Sequence, residues 1–440
     1  MRVLLLATTT GYQVRSFGQA AERLGVELVF ATDRCHVLED PWVDRAIPIR
    51  FHDEEASIAA ILSAVADDPI AGVLVVGDQP AGIGARVAAA LELPWHPPDA
   101  AAVSRNKLRM RERLRAAGEN VPWFRPVSID ASPRELAGRV SYPCIVKPLG
   151  LSGSRGVIRA DDPTGFVEAF ERVRRLLSTT EVRATRLPGH DTILIEGYVP
   201  GVEVAIEAVM ERGSLVPLAI FDKPDPLEGP FFEETIYVTP SRLPSSRQQA
   251  IVKAVARGAR AMGLWHGPIH AECRIKDDAI VVLEIAARPI GGLCAESLRF
   301  DEARLKGATT GTTTASRLTP GTLAEPISLE ELLLRQAIGE SVAHYQRESA
   351  ASGVMMMPIT SAGIFRRVEG VDEARAVPAI EQIHITAKPD QKLVPLPEGA
   401  SYLGFIFARA GTPEEVEHAL RTAHGKLGVL MDRELTVTGC

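Results

Sequence analysis

Cysteine is scarce and carries no pattern. Cys35, Cys144, Cys273, Cys294 and Cys440 are five in 440 residues, with no CxxC and no Cys/His metal spacing. An odd, scattered set excludes a disulfide framework and reads as reduced thiols. Long apolar runs are lacking too: none approaches the ~18 residues of a spanning helix, and Val3–Ala7 is too short for the core of a secretory signal. The expectation is a soluble cytoplasmic protein, with no membrane partner. Positive charge is in the minority, 49 basic against 56 acidic side chains for a net −7, which argues against nucleic acid as a partner. Only nine of those basic residues are lysines. No GxGxxG follows an N-terminal strand and no GxxxxGK[ST] occurs, which argues against a dinucleotide site and a Walker A loop. There is no Gly-x-Ser-x-Gly elbow, and Ser or Cys nucleophilic catalysis has no support.

What is there suffices for ordinary cores: 46% of the chain is apolar. The length suggests about two to four domains. The first hundred residues alternate strand and helix patterns, with buried strands at Val3–Ala7, Glu27–Ala31 and Ala71–Val76, the order of a doubly wound α/β layer. One Arg-rich helix is expected over 99–118, with Asp99 or Ser104 as N-cap and Gly118 as its stop. Its arginines at 105, 109, 111, 113 and 115 read as a solvated face. From Pro126 to about 290 the texture is α+β, with strands in hairpin order and helices at Thr164–Leu177 and Ser245–Met262. Asp301–Gly321 reads as a loop rich in Thr and Gly. The last hundred residues read as an α+β unit with strands at Ala362–Val368, Glu381–Thr386 and Leu403–Ala410. Its final helix has Thr412 as N-cap, Pro413 at N1 and Glu415 at N3.

Three stretches carry chemistry. In Tyr142–Val157 a strand ends at Lys147-Pro148 and enters a loop with Gly150, Ser152, Gly153, Ser154 and Gly156. Glycines let successive N–H groups converge on phosphate oxygens, and the ammonium adds a point charge; a flexible hairpin turn fits the loop as well. In Ile193–Val204 strand residues lead through Glu196, a Gly/Pro turn and Glu203, a pattern that also fits two solvated glutamates. In His270–Gly292 two strands joined by a Lys-Asp-Asp turn place Glu272 and Glu284 at similar distances from that turn. Antiparallel pairing can bring both carboxylates to one face. Facing carboxylates repel unless a cation lies between them, and hard oxygen ligands suit Mg²⁺. Arg288 can fork onto a carboxylate or phosphoryl oxygen. His270 shares the face of Glu272, either as a substrate contact or as a satisfied core histidine. Lys223, Glu233 and Glu234 could meet phosphate or an amine, and fit a solvated loop equally well.

Lys107, Lys147 with its Gly-rich loop, Glu196 and Glu203, Glu272 and Glu284-x-x-x-Arg288 occur in the order of the ATP-grasp superfamily. Within it the chain most resembles the carboxylate–amine ligases, including the L-amino-acid (dipeptide) ligases, over essentially its whole length. Phe221–Ser241 resembles their substrate-side segment. The resemblance implies an ATP-grasp fold: a pre-ATP-grasp α/β domain over 1–98, a linking helix over 99–120, small and large ATP-grasp subdomains over 121–195 and 196–335, and a lid-like α+β domain over 336–440.

It also implies roles. Lys107 and Lys147 contact ATP phosphates under the loop Gly150–Gly156. Glu196 with the backbone of Gly197 and Val199 holds adenine, and Glu203 holds the ribose. Glu272 and Glu284 ligate Mg²⁺, or Mn²⁺ in its place, and Arg288 clamps the carboxylate. Lys147, Arg288 and His270 are the candidates for the chemistry, a ligation of small-molecule carboxylate and amine through an acyl phosphate, in a homodimer. Alternatives are a biotin-carboxylase-like or purine-pathway enzyme of the superfamily, or a non-catalytic nucleotide-binding module. The family's Asn two residues after the second glutamate is here Ala286, which cannot ligate.

Overall fold

The computed structural model describes residues 1–8, 13–33, 46–302, 325–399 and 401–432. Cys35, Cys440 and most of the loop expected at 301–321 lie outside these. No helix among the described residues is long and apolar enough to cross a membrane.

The N-terminal layer is a parallel sheet built from β1 (Arg2–Ala7), β2 (Glu27–Thr32), β3 (Ile47–Pro48) and β4 (Gly72–Val76), in the order β3-β2-β1-β4. Helix α1 (Val14–Leu24) lies between β1 and β2, α2 (Glu54–Ala64) between β3 and β4, and α3 (Ala81–Ala90) follows β4. Val3 to Leu6 are wholly buried, because a central parallel strand is covered on both faces. The residues that follow β4 open at the carboxyl ends of the strands, where α/β sheets form crevices.

The single helix expected over 99–118 is two: α4 (Pro98–Ser104) and α5 (Lys107–Ala116). The break has a local cause. Asn106 is extended, and its side chain accepts from the Arg109 N–H, so it caps a new helix. Gly118, at φ 76°, lies beyond the end.

The next sheet, in the order β5-β8-β6-β7, comprises β5 (Phe124–Ser128), β6 (Cys144–Pro148), β7 (Ile158–Ala160) and β8 (Thr192–Gly197), all antiparallel neighbours. Helix Pro163–Leu177 buries Phe166, Phe170 and Val173 against it. The large sheet has eight strands. It runs from β13 (Ala279–Ala286) through β12 (Gly267–Lys276), β9 (Val202–Glu211), β10 (Ser214–Asp222) and β11 (Ile236–Thr239). Without interruption it continues into strands Ala351–Met357, Gly404–Ala410 and Ile380–Ile385. Helix Ser245–Met262 packs beneath its first half. Ala351–Met357, not foreseen as a strand, joins the two halves: its Met355 pairs with Ile236 and its Ile406 partner lies beyond. The last helix, Pro413–His424, starts on the expected capping box of Thr412 and Glu415.

Candidate active site

Glu272 and Glu284 are direct partners in the ladder between β12 and β13. The register then shifts, so that Cys273 pairs with Val282 and Leu283 is left as a bulge. The turn count read from the sequence is thus realised, with one extra residue that frees a carbonyl. That carbonyl accepts from Arg111 Nη1 at 2.8 Å.

Arg111 is the main departure from the solvated-face reading of α5. Arg109 and Arg113 are half-exposed and pair with Asp99, but Arg111 is 0% exposed. Its other edge meets Glu196, Nε–Oε2 at 3.0 Å and Nη2–Oε1 at 3.3 Å, and Lys147 on β6 donates to the same carboxylate. Burial pushes the Glu196 carboxyl upward, yet Arg111 and Lys147 outweigh it and bring it down to about 2. Lys147 is lowered too, to about 8, which in a lysine disfavours the charged form: burial removes its hydration, its one anion is shared with Arg111, and Lys107 adds repulsion. Two cations serve one anion here, so the carboxylate keeps its charge firmly and the ammonium does not.

The backbone beside Glu196 is also engaged. The Gly197 N–H donates to the Trp123 carbonyl at 2.9 Å, and the Val199 carbonyl accepts from Arg274 Nη1 at 2.7 Å. Arg274 also donates to Glu203 Oε2 at 2.7 Å, fixing the Gly/Pro turn to the start of β9.

Lys107 begins α5 beneath the Gly-rich loop. Its Nζ donates to the Leu151 carbonyl at 2.7 Å and stands 3.8 Å from Glu284 Oε2. Gly153, Ser154 and Gly156 have φ of 63°, 56° and 74°, left-handed values that curl the loop. Gly150 and Ser152 lie in the same turn-rich stretch. The Gly156 N–H donates to the Pro397 carbonyl at 2.8 Å, and Arg155 Nε donates to that of Glu398 at 2.8 Å. Arg172 Nη2 meets the Glu398 carboxylate at 2.8 Å. The loop is therefore hydrogen-bonded to the C-terminal half.

Lys223, weighed only as a secondary candidate, is central. Buried at the end of β10, it donates to Glu203 at 2.7 Å, to Glu272 at 3.0 Å and to Glu234. Oxygens of these three glutamates lie within 4.8 Å of one another. The carboxylates hold the Lys223 charge well above the ordinary lysine value against burial. Burial and the nearby Glu272 lift Glu234 to about 8. Glu233 is raised by burial as well.

His270 faces inward: its Nδ1 lies 3.1 Å from Glu207 Oε2, and Glu207 also accepts the Ile290 N–H at 3.1 Å. His270 pairs with Ala286 in the ladder. Arg288 reaches the N-terminal layer and forks onto Asp78, Nε–Oδ1 at 2.9 Å and Nη2–Oδ2 at 3.3 Å. Asp78, Arg111, Arg274 and Glu207 have no local signal in the sequence, since each gains its meaning from a distant partner.

The donor set at Glu272 and Glu284 is made of carboxylate oxygens on facing strands, which suits a hard divalent cation such as Mg²⁺. Lysines, a Gly-rich loop and an arginine fork gathered around opposed glutamates are the chemistry that suits a polyanion beside a carboxylate.

Comparison with known proteins bears on the family and the fold. Residues 140–297 match the ATP-grasp domain, residues 18–95 the ATP-grasp N-terminal domain, and residues 331–431 the L-amino acid ligase C-terminal domain 2. The chain belongs to the ATP-grasp superfamily. The L-amino acid ligase from Bacillus licheniformis superposes on this ATP-grasp chain with a TM-score of 0.78 at 27% identity, covering 98% of this chain and 99% of that one. An uncharacterised protein, y4rH of Sinorhizobium fredii, is 23% identical over 96% of this chain and 81% of its own length. Alanine–anticapsin ligase of Bacillus subtilis is 30% identical over 44% of this chain, a stretch that spans 43% of that ligase. The domains and likenesses of this ATP-grasp chain are those of the carbon–nitrogen bond-forming ligases.

Proposed function

We propose that this chain joins a carboxylate, an amino acid or other small acid, to an amine at the expense of ATP. The acid attacks the γ-phosphoryl group, giving an acyl phosphate and ADP; the amine then displaces phosphate. The juxtaposition that supports this most is Glu272 opposite Glu284, with Lys107 between Glu284 and the Gly-rich loop.

Lys107, Lys147 and the loop Gly150–Gly156 bind the phosphates. The turn from Glu196 to Val199 holds adenine, where Arg111 and Arg274 set the positions of Glu196 and Val199, and Glu203 takes the ribose. Arg288 orients the carboxylate and then the acyl phosphate. Glu272 and Glu284 would hold Mg²⁺, which when bound offsets charge on the transferring phosphoryl group. His270, anchored by Glu207, lines the acid side. Lys223 re-partners from its carboxylates to a phosphoryl oxygen. An acyl phosphate hydrolyses in water, so the loop and the Pro397–Glu398 segment bonded to it exclude solvent.

Hydroxylamine trapping over a panel of carboxylic acids, with ATP and Mg²⁺, tests this. A hydroxamate with at least one acid is expected, and ADP without a nucleophile should be slow. Nucleotide binding with no hydroxamate from any acid would make the chain a binding module. ADP release driven by bicarbonate alone would make it a carboxylase.

A further inference from the structure

Arg288 leaves the ladder four residues after Glu284. Its Nε and Nη2 bind the two oxygens of Asp78, and its Nη1 donates to the Pro289 carbonyl at 3.0 Å. A guanidinium has five N–H groups. Among the described residues those three bonds leave one N–H on each terminal nitrogen, the pair that can fork onto a single carboxylate or phosphoryl group. The ion pair is not sealed: the Arg288 side chain is 12% exposed and that of Asp78 25%. The main chain beyond is pinned from both sides, since the Ile290 N–H goes to Glu207 and its carbonyl accepts from Gln13 at 2.7 Å. Joining the layers does not require Asp78. Gln13 already crosses between them, and Gly72 of β4 abuts Ala337 so closely that a Cβ there would lie 2.1 Å from its carbonyl oxygen.

Resting on the ligase reading above, we propose that Asp78 is a positioning residue of the acid site. It holds one edge of the Arg288 guanidinium so that the outer fork is presented to the substrate carboxylate and then to the acyl phosphate. A long arginine gives up much rotamer freedom when it binds, and Asp78 settles that loss before the acid arrives. The N-terminal layer thereby takes part in recognising the acid.

The test uses the acid found by hydroxamate screening of the full-length enzyme, together with its des-amino counterpart if it is an amino acid. Asp78→Ala is expected to raise KM for both acids by about tenfold, a typical coupling between touching side chains, with a smaller change in KM for ATP, since the Asp78 charge also reaches Lys107. Asp78→Asn, which keeps one acceptor oxygen, raises it less and guards against a folding artefact. In an Arg288→Ala background, Asp78→Ala adds no further loss. An unchanged acid KM in Asp78→Ala overturns the inference. So does an additive loss in the double variant, or a loss confined to the amino acid, either of which puts Asp78 on the substrate itself. Absence of hydroxamate in the wild type defeats the ligase reading and this inference together; a working wild type with an indifferent Asp78 variant defeats the inference alone.

Discussion

Glu272 and Glu284 oppose each other across one ladder, and each already faces its own lysine: Lys223 at 3.0 Å from Glu272 and Lys107 at 3.8 Å from Glu284. On the proposed function, the lysines would serve as counterions until a nucleotide draws them to its phosphates. A divalent cation arriving alone must compete with them. Lys223→Met should therefore raise the affinity for free Mn²⁺, followed by electron paramagnetic resonance without nucleotide, by at least about tenfold, given the strength of a close charge pair within a protein. An unchanged affinity would mean that Lys223 does not guard the site.

Loss of Glu284 itself should be severe. Substituting partners that merely orient metal ligands costs roughly 10–100-fold, so Glu284→Ala is expected to reduce ADP release by more than about a hundredfold. Full turnover in this variant would remove the metal assignment.

Lys147 gives a pH signature. Its charge is lost near pH 8 in the free protein, because burial outweighs Glu196. kcat/KM for ATP should then fall about tenfold per pH unit above that value, and Lys147→Arg, which stays protonated, should abolish the limb. The stability effect has the opposite sign. Between about 8 and the ordinary lysine range the unfolded chain binds more protons than the folded one, so this group's contribution rises with pH.

Arg111 and Arg109 are two positions apart on α5 and should behave differently. Arg111→Met leaves Glu196 with one cation in a buried setting, a change that costs about 3–5 kcal/mol in comparable pairs. Arg109→Ala should lie within about 0.5 kcal/mol of wild type. Thermal unfolding of both variants measures the contrast, and equal midpoints would contradict it.

The contact of Glu398 with Arg172 is half-exposed, so its effect should be modest. Glu398→Ala should raise the ratio of ADP released to ligated product by about two- to fivefold, the range for exposed ion pairs. A ratio that stays at the wild-type value would separate the loop from the C-terminal half.

Much of this was legible in the chain because it is local. Strand Gly267–Lys276 and its partner are marked by their apolar runs, and counting from their turn brought Glu272 and Glu284 to one face, although the bulge at Leu283 that sets them directly opposite left no trace. The capping box at Thr412 is spelled out within four residues. Arg111 was not legible: on a helix full of arginines, nothing nearby says that one of them is buried. Its partner Glu196 lies 85 positions away. Asp78 and Arg288 are separated by 210. Long-range ion pairs have no periodicity, and they form only once the layers have packed. Ala351–Met357 was missed for a related reason, since its role depends on the strands it lies between.

That strand has an evolutionary consequence. Recombination that exchanges whole modules works where a cut leaves both pieces with finished surfaces. Here a cut near residue 336 would strip β11 of its neighbour and leave an open ladder on each fragment. New acid or amine preferences should therefore arise in this lineage by substitution within a fixed scaffold, and chimaeras with foreign C-terminal halves should aggregate unless they carry Ile236–Thr239 with them.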